Sequence, residues 1–320
     1  MLTSTVRATL VASALSVAGI GTASAQDLVL GMPNWPSGVA TSHILAQVIE
    51  ENFGLEVELQ SGTNPIIFEA MDSGSMHMHP EVWLPNQQNL HDTYVQERGT
   101  VVMNDNPVQA RQGMCVPAHV VDKYGITSIE DLTDPDKMAA FDTDGDGTPQ
   151  VWIGAPGWAS TVIERIRGRS YGYDAVMDLE EYDESVAYAA LAASVDTEGP
   201  WIGFCYEPHF IFVAYDMVYL DEPAHDPATW NIVQPTDDPQ WLDKSMASTA
   251  WKGATLHLHY SAEVSENYPE VAALFDAYQI PSDALSAMGL ELSLNDMEPE
   301  DFAAQWIAAN EDVVLGWLTN

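Results

Sequence analysis

Five successive segments decide the fold: Asp27–Gly31 (DLVLG), Ser42–Phe53 (SHILAQVIEENF), Leu55–Leu59 (LEVEL), Asn64–Met71 (NPIIFEAM) and Met76–Val82 (MHMHPEV). The first is a short apolar run that ends in a Gly/Pro-rich loop carrying Trp35. In the second, Ile44, Leu45, Val48 and Ile49 recur at spacings of three to four, the period of a helix with one apolar face. Gly54 stops that helix, and Leu55–Leu59 alternates like a strand. Asn64–Met71 reads as the next helix, and Met76–Val82 as the strand that delivers Trp83. Strand, helix, strand, helix, strand in this order predicts a parallel sheet with helices on its faces.

The grammar repeats further on. Gly113–Val121 reads as a strand, Ile129–Asp131 opens a short helix, Val151–Gly154 is a strand ending at the loop with Trp158, Ser160–Gly168 is a helix, and Trp201–Cys205 is another strand. The last third returns to helices over Tyr268–Tyr278, Ser282–Met288 and Pro299–Trp317. A chain of 320 residues, 46% of them hydrophobic, holds ample core and is long for one compact unit. The expectation is therefore an α/β protein of two lobes, each a mostly parallel sheet flanked by helices. Lobe one spans 26–111 and 235–320, and lobe two spans 112–234. Open α/β sheets bind ligands beyond the carboxyl ends of their strands, where the Trp loops fall.

The first 25 residues read as a secretory leader. Arg7 supplies the positive start, Ala8–Gly21 is a small-residue apolar stretch, and Ala23-Ser24-Ala25 fits the cleavage pattern, so the mature chain is expected to begin at Gln26 in the periplasm. Forty-eight acidic against 10 basic side chains give a net charge of −38, and loss of the leader with Arg7 makes it −39. A polyanion of this size excludes nucleic acid and anionic membrane surfaces as partners, and its plainest explanation is a saline environment, where screening makes a densely acidic surface tolerable. Cys115 and Cys205 are the two cysteines. In an oxidising compartment they can pair across neighbouring strands, which would stabilise the chain by about 4 kcal/mol in the chain-entropy model, or remain two buried thiols.

Four tryptophans stand in Gly/Pro-flanked settings rather than in apolar runs: Trp35 in Asn34-Trp35-Pro36, Trp83 in Val82-Trp83-Leu84-Pro85, Trp158 in Pro156-Gly157-Trp158 and Trp201 in Gly199-Pro200-Trp201. Taken singly, each is a packing residue. Together, and with Tyr206, they suit the walls of a cage, because aromatic faces attract a methylated ammonium cation. A desolvated cation gains about 2 kcal/mol or more per face, so three or four walls supply roughly micromolar binding without a salt bridge.

The segments Pro80-Glu81-Val82-Trp83-Leu84-Pro85-Asn86, Phe141-Asp142-Thr143-Asp144-Gly145-Asp146-Gly147, Gly154-Ala155-Pro156-Gly157-Trp158 and Phe204-Cys205-Tyr206-Glu207-Pro208 resemble the periplasmic glycine betaine-binding proteins of ABC importers. The resemblance covers most of the mature chain in order. It implies a two-lobed binding protein, not an enzyme, working with an inner-membrane ABC permease and without a functional cofactor. It also implies a box for a trimethylammonium head formed by Trp83, Trp158 and Tyr206. Members of the family take glycine betaine, proline betaine, choline, carnitine or trimethylamine N-oxide. Here Glu81 lies two residues before Trp83, on the same side of an extended strand. A carboxylate there favours a compact cation, or a ligand that can share a proton, over one with its own carboxylate. Trimethylamine N-oxide is the expected ligand, followed by choline and then glycine betaine. A monomer is expected.

Asp142-Thr143-Asp144-Gly145-Asp146-Gly147 reproduces the first half of a calcium loop, with oxygen ligands at positions one, three and five and Gly at six. Position twelve is Ile153 rather than Glu, so Asp142, Asp144, Asp146 and backbone oxygens near Thr148 are the expected ligands of a structural Ca²⁺. The alternative is an acidic turn without an ion. Two other functional classes have weaker support. His77/His79 and His257/His259 alternate as strand residues do and would serve a periplasmic metal-binding protein. Glu207 and Asp216 would be the acid pair of a calcium-dependent secreted hydrolase, but nothing fixes their separation. No Gly-x-Ser-x-Gly elbow, phosphate loop or dinucleotide fingerprint is present.

Overall fold

β1 (Leu28–Met32) buries Leu28 and Leu30 completely and runs through the Trp35 loop into α1 (Pro36–Phe53). The helix starts at Pro36 rather than Ser42. Proline at the first position presets the helical φ, and the buried Ser37, Gly38, Ala40, Thr41 and Ser42 pack closely without writing an apolar stripe into the sequence. Gly54, at φ +68°, closes the helix in the left-handed conformation. β2 (Val57–Ser61), α2 (Asn64–Asp72) and β3 (Met78–Leu84) complete the first unit, and β1 pairs in parallel with both β2 and β3. These residues belong to a computed structural model that describes 27–319, so the expected leader and its cleavage after Ala25 lie outside the described residues.

β4 (Val101–Met103) is followed by β5 (Val108–Pro117). The strand expected over Gly113–Val121 ends at Pro117, where Ala118–Tyr124 turns into a short helix closed by Gly125. Then come β6 (Gln150–Gly154), α3 (Ala159–Tyr171), β7 (Asp178–Glu181), α4 (Glu184–Thr197), β8 (Gly203–Glu207), β9 (Met217–Tyr219) and β10 (Ala254–Ser261). β7 and α4 carried no clear periodicity: the strand reads DLEE, and the helix is so rich in alanine that its buried face hardly differs from its exposed one. The C-terminal helices are α5 (Pro269–Ala277), α6 (Ser282–Ser293), α7 (Pro299–Ala309) and α8 (Glu311–Leu318). The single helix expected over Pro299–Trp317 breaks at Asn310, whose side chain donates to the Trp306 carbonyl at 2.8 Å and competes with the helical ladder.

The main sheet runs β2-β1-β3-β10-β5-β8-β6-β7, with β4 beside β10 and β9 beside β5. Each half is an α/β layer with a parallel core, β2-β1-β3 in one and β8-β6-β7 in the other. The seam strands β10 and β5 run antiparallel to their neighbours. β5 is the crossing: Val108–Ala110 pairs with β10, and Arg111–Cys115 pairs with β8. Residues 243–251, assigned to lobe one from the sequence, are fastened instead to α3 of the second half. The Trp251 indole donates to Glu164 at 2.6 Å, Ala247 N–H donates to Ser170 at 2.9 Å, and Arg167 bonds the Thr249 carbonyl. Cys115 and Cys205 form a disulfide between β5 and β8, with Cα atoms 5.8 Å apart, which resolves the alternative in favour of pairing.

Candidate binding site

Four strand ends of the two halves deliver aromatic side chains to one place. Trp35 caps α1 just beyond β1, Trp83 sits at the end of β3, Trp158 caps α3 just beyond β6, and Tyr206 lies at the end of β8. Close turns make this possible. Gly154 adopts φ +126°, and a Cβ there would stand 2.3 Å from Thr161 Oγ1, so the chain can fold directly from β6 into the Trp158 loop. Gly157, at φ +83°, brings that loop against Thr63 of the first half, where a Cβ would meet the Thr63 methyl at 2.9 Å.

The rings stand edge to face. Trp83 and Tyr206 have centroids 5.1 Å apart, Trp158 and Tyr206 5.8 Å, and Trp35 and Trp158 6.3 Å, with interplanar angles of 83°, 79° and 89°. Rings packed at right angles can wall a pocket on several sides. These four residues and Phe204 line a small cavity, with Asn64, Asn86, Gln87, Gln112 and Ser160 supplying polar edges. The Trp158 indole donates to Asn34 Oδ1 at 2.8 Å and so ties the second half to the first. Asn86 and Gln112 pair through both amides, at 2.6 and 2.9 Å, while buried Gln87 Oε1 has no partner among the described residues.

Buried carboxylates hold two of the walls from behind. Glu81 Oε2 accepts from the Trp35 indole at 2.7 Å and from Ser37 at 3.0 Å. Glu184 Oε1 accepts from the Tyr206 hydroxyl at 2.6 Å and lies 3.0 Å from His209 Nε2. Burial pushes the Glu81 carboxyl up to about 7, and nearby Glu184 adds to the rise against the pull of the Trp35 and Ser37 hydrogen bonds. Glu81 was expected to face the ligand. It lies instead behind Trp35 and outside the lining, because the indole fills the space between.

Trp201 is the second departure. It precedes β8, so it stands at the amino end of the strand whose carboxyl end carries Tyr206, about 15 Å away at strand rise. Its ring lies against Gly203, 6.4 Å from Tyr188, and borders a separate cleft with Trp152 and Tyr182. Trp35, Trp83, Trp158 and Tyr206 are brought together, and Trp201 is not. Phe204 and the amides of Asn64, Gln87 and Gln112 went unnoticed in the sequence. Asn86 and Phe204 lay inside motifs already singled out, whereas no local signal marked the others.

The acidic loop sits before β6, at the strand end opposite the cage. Carboxylate oxygens of Asp142, Asp144 and Asp146 lie within 4.8 Å of one another. Backbone N–H groups of Gly145 and Gly147 orient Asp142, that of Asp146 orients Asp144, and that of Thr148 orients Asp146. An all-oxygen set of this kind suits a hard divalent cation. Thr148 differs from expectation: its N–H, not its carbonyl, meets the cluster, and the carbonyl accepts from Gln150. His259 stands opposite His79 across the sheet and close to His257 and His91, but among the described residues no three of these histidines bring ligand nitrogens together for a metal. His77 accepts from Val29 N–H, His79 bonds Asn64, His257 bonds the Asn104 carbonyl and His259 bonds His91. Burial holds His79 down to about 3, as expected of a neutral core histidine. Among the described residues, the three aspartates are the one metal-suited trio. Nor do Glu207 and Asp216 form an acid pair in the cavity: neither lines it, and Asp216 is exposed.

A family profile described as the substrate-binding domain of the ABC-type glycine betaine transport system matches residues 26–309. A glycine betaine/proline betaine-binding periplasmic protein of Salmonella typhimurium strain LT2 is 23% identical over 223 residues, 65% of this chain and 64% of that protein, so the match spans a little under two thirds of the relative's length. The crystal structure of lactococcal OpuAC, closed on glycine betaine, superposes with a TM-score of 0.69 at 20% identity, covering 91% of this chain and 99% of the other. An ABC-transporter choline-binding protein in complex with choline gives 0.70 at 16% identity, covering 91% of each chain. At these identities the structural likeness is one of fold. With most of its length matched by the family profile, the chain belongs to the family of substrate-binding domains of ABC-type glycine betaine transport systems.

Proposed function

We propose that this protein is a periplasmic, monomeric receptor that captures a small methylated amine between two lobes and presents it to an inner-membrane ABC permease. The observation that carries the reading is the convergence of Trp35, Trp83, Trp158 and Tyr206, from both halves of the sheet, on one small cavity. An onium head between such faces is attracted by every ring quadrupole at once. Walls from both halves touch the ligand only when the halves are together, so binding energy favours the closed form.

Trimethylamine N-oxide is the favoured ligand, then choline, then glycine betaine. The small cavity suits a compact guest, and the unpartnered Gln87 Oε1 can accept from a ligand hydroxyl, that of choline or of a protonated N-oxide. The buried Glu81 disfavours a guest with its own carboxylate. Calorimetry with trimethylamine N-oxide, choline, glycine betaine and carnitine ranks them directly. Trp158→Ala is expected to weaken the best of these at least tenfold in a tryptophan fluorescence titration, and an unchanged affinity would remove the cage.

The same reading assigns a structural Ca²⁺ to Asp142, Asp144 and Asp146, where three carboxylates otherwise repel one another. Added calcium should raise the melting temperature of chelator-treated protein, and Asp144→Asn should erase that rise. Equal melting curves with and without calcium would dismiss the ion.

A further inference from the structure

Two buried carboxylates flank the cage, and neither is matched by a lysine or arginine. Among the described residues, the cations paired with carboxylates are Arg98, Lys137, Arg165, Arg167, Arg169 and Lys244, and none of them reaches Glu81 or Glu184. Glu81 Oε1 and Glu184 Oε2 have no hydrogen-bond partner among the described residues. Leaving such a charge buried and unpaired is costly; Glu184 has His209 at 3.0 Å, whereas the counter-charge of Glu81 has to arrive as a proton or as a cationic guest.

We propose that Glu81 is the electrostatic backing of the cage: held behind Trp35, its carboxylate selects against methylated amines that carry a carboxylate of their own, and couples capture of a fixed cation to loss of one proton. The inference rests on the cage reading above. The link runs through one bond, since the indole that lines the cavity donates to Glu81 Oε2 at 2.7 Å. A carboxylate on the indole N–H enriches the ring face in electron density, and in this dry setting its charge also reaches the cavity with little screening. A carboxylate-bearing guest brings a second negative charge into the same field.

The groups facing Glu81 come from every element packed on it. Trp35 and Ser37 at the start of α1 donate to it, and His79 on its own strand accepts its N–H at 3.2 Å. Glu184 at the start of α4 raises its affinity for a proton. Tyr206 and Tyr278 feel its charge and are themselves held neutral by burial. His209 faces Glu184 rather than Glu81. A guest cation therefore meets a Glu81 that gives up its proton on binding. Glu81 is a positioning residue here, acting through Trp35.

Choline is the probe, because its charge does not change with pH. With the Glu81 carboxyl near 7 before binding, one released proton means that choline affinity rises about tenfold between pH 6 and pH 8. At pH 7 calorimetry in two buffers of different ionisation enthalpy should count roughly half a proton released. Glu81→Gln keeps an acceptor for the indole and should bind choline with no pH slope, no proton release and a smaller preference over glycine betaine. The proton count on the unaltered protein tests the idea even if the variant folds poorly. A flat choline profile, a slope that survives Glu81→Gln, or no choline binding to a protein that takes up glycine betaine or trimethylamine N-oxide would overturn the inference and leave the cage standing. Failure of every methylated amine to bind would end both.

Discussion

In the ligand-free protein, burial holds the proton of Glu81 to about pH 7, against an ordinary value of 4.5. The folded form therefore binds more protons than the unfolded chain between these limits. The stability tied to this carboxyl is fully present below pH 4.5 and is lost as pH rises through about 7. Glu81→Gln should leave the melting temperature unchanged near pH 4.5 and raise it at pH 8, by up to about 3 kcal/mol of stability. A difference independent of pH would show that the carboxyl does not titrate in this way. Single residues also show what the sequence could and could not disclose. Trp35, Trp83 and Trp158 stand out because Gly and Pro next to an indole are turn grammar, which is local. Trp201 has the same grammar, in Gly199-Pro200-Trp201, yet its turn enters a strand rather than leaving one. Which end of β8 a turn occupies depends on where that strand begins, at Gly203, two residues later than its apolar character indicated.

The elements divide along the same line. β1, β2, β3 and the helices between them follow from periodicity, and their observed bounds differ from expectation by a few residues except where buried small residues hide the start of α1. β10 was glimpsed only in the alternation of His257 and His259, although its residues Ala254–Ser261 occupy the centre of the sheet. Its two histidines look polar in sequence, yet they are buried like Leu256 and Leu258 beside them, so alternation suggests an exposed face that the strand does not have. The fastening of residues 243–251 to α3 depends on Arg167, a fully buried guanidinium paired with Glu164 at 2.9 Å and with Glu222. Arg167→Met would leave two buried carboxylates without their counter-charge and should cost about 3–5 kcal/mol in denaturant unfolding. A loss below 1 kcal/mol would mean that water or protonation compensates them. The double variant Arg167→Met, Glu164→Gln should recover part of the loss.

Across the full chain, a net charge of −38 coexists with an ordinary buried core, because acids cost little on a solvated surface and the core is built from other residues. Fold class and the aromatic walls at strand ends were legible in the linear order, since each rests on patterns spanning fewer than about twenty residues, whereas the return of the chain to the first half was placed near 235 and residues 243–251 still pack on the second. The pairing of Cys115 with Cys205 was one of two open alternatives, and only the neighbouring of β5 and β8 settled it. The retreat of Glu81 behind Trp35, the exclusion of Trp201 and the polar rim of Asn64, Gln87 and Gln112 likewise required coordinates. Local patterns record what a segment buries, but which buried groups from distant segments meet, and which stands in front of the other, is set by packing between elements that carry no information about one another along the chain.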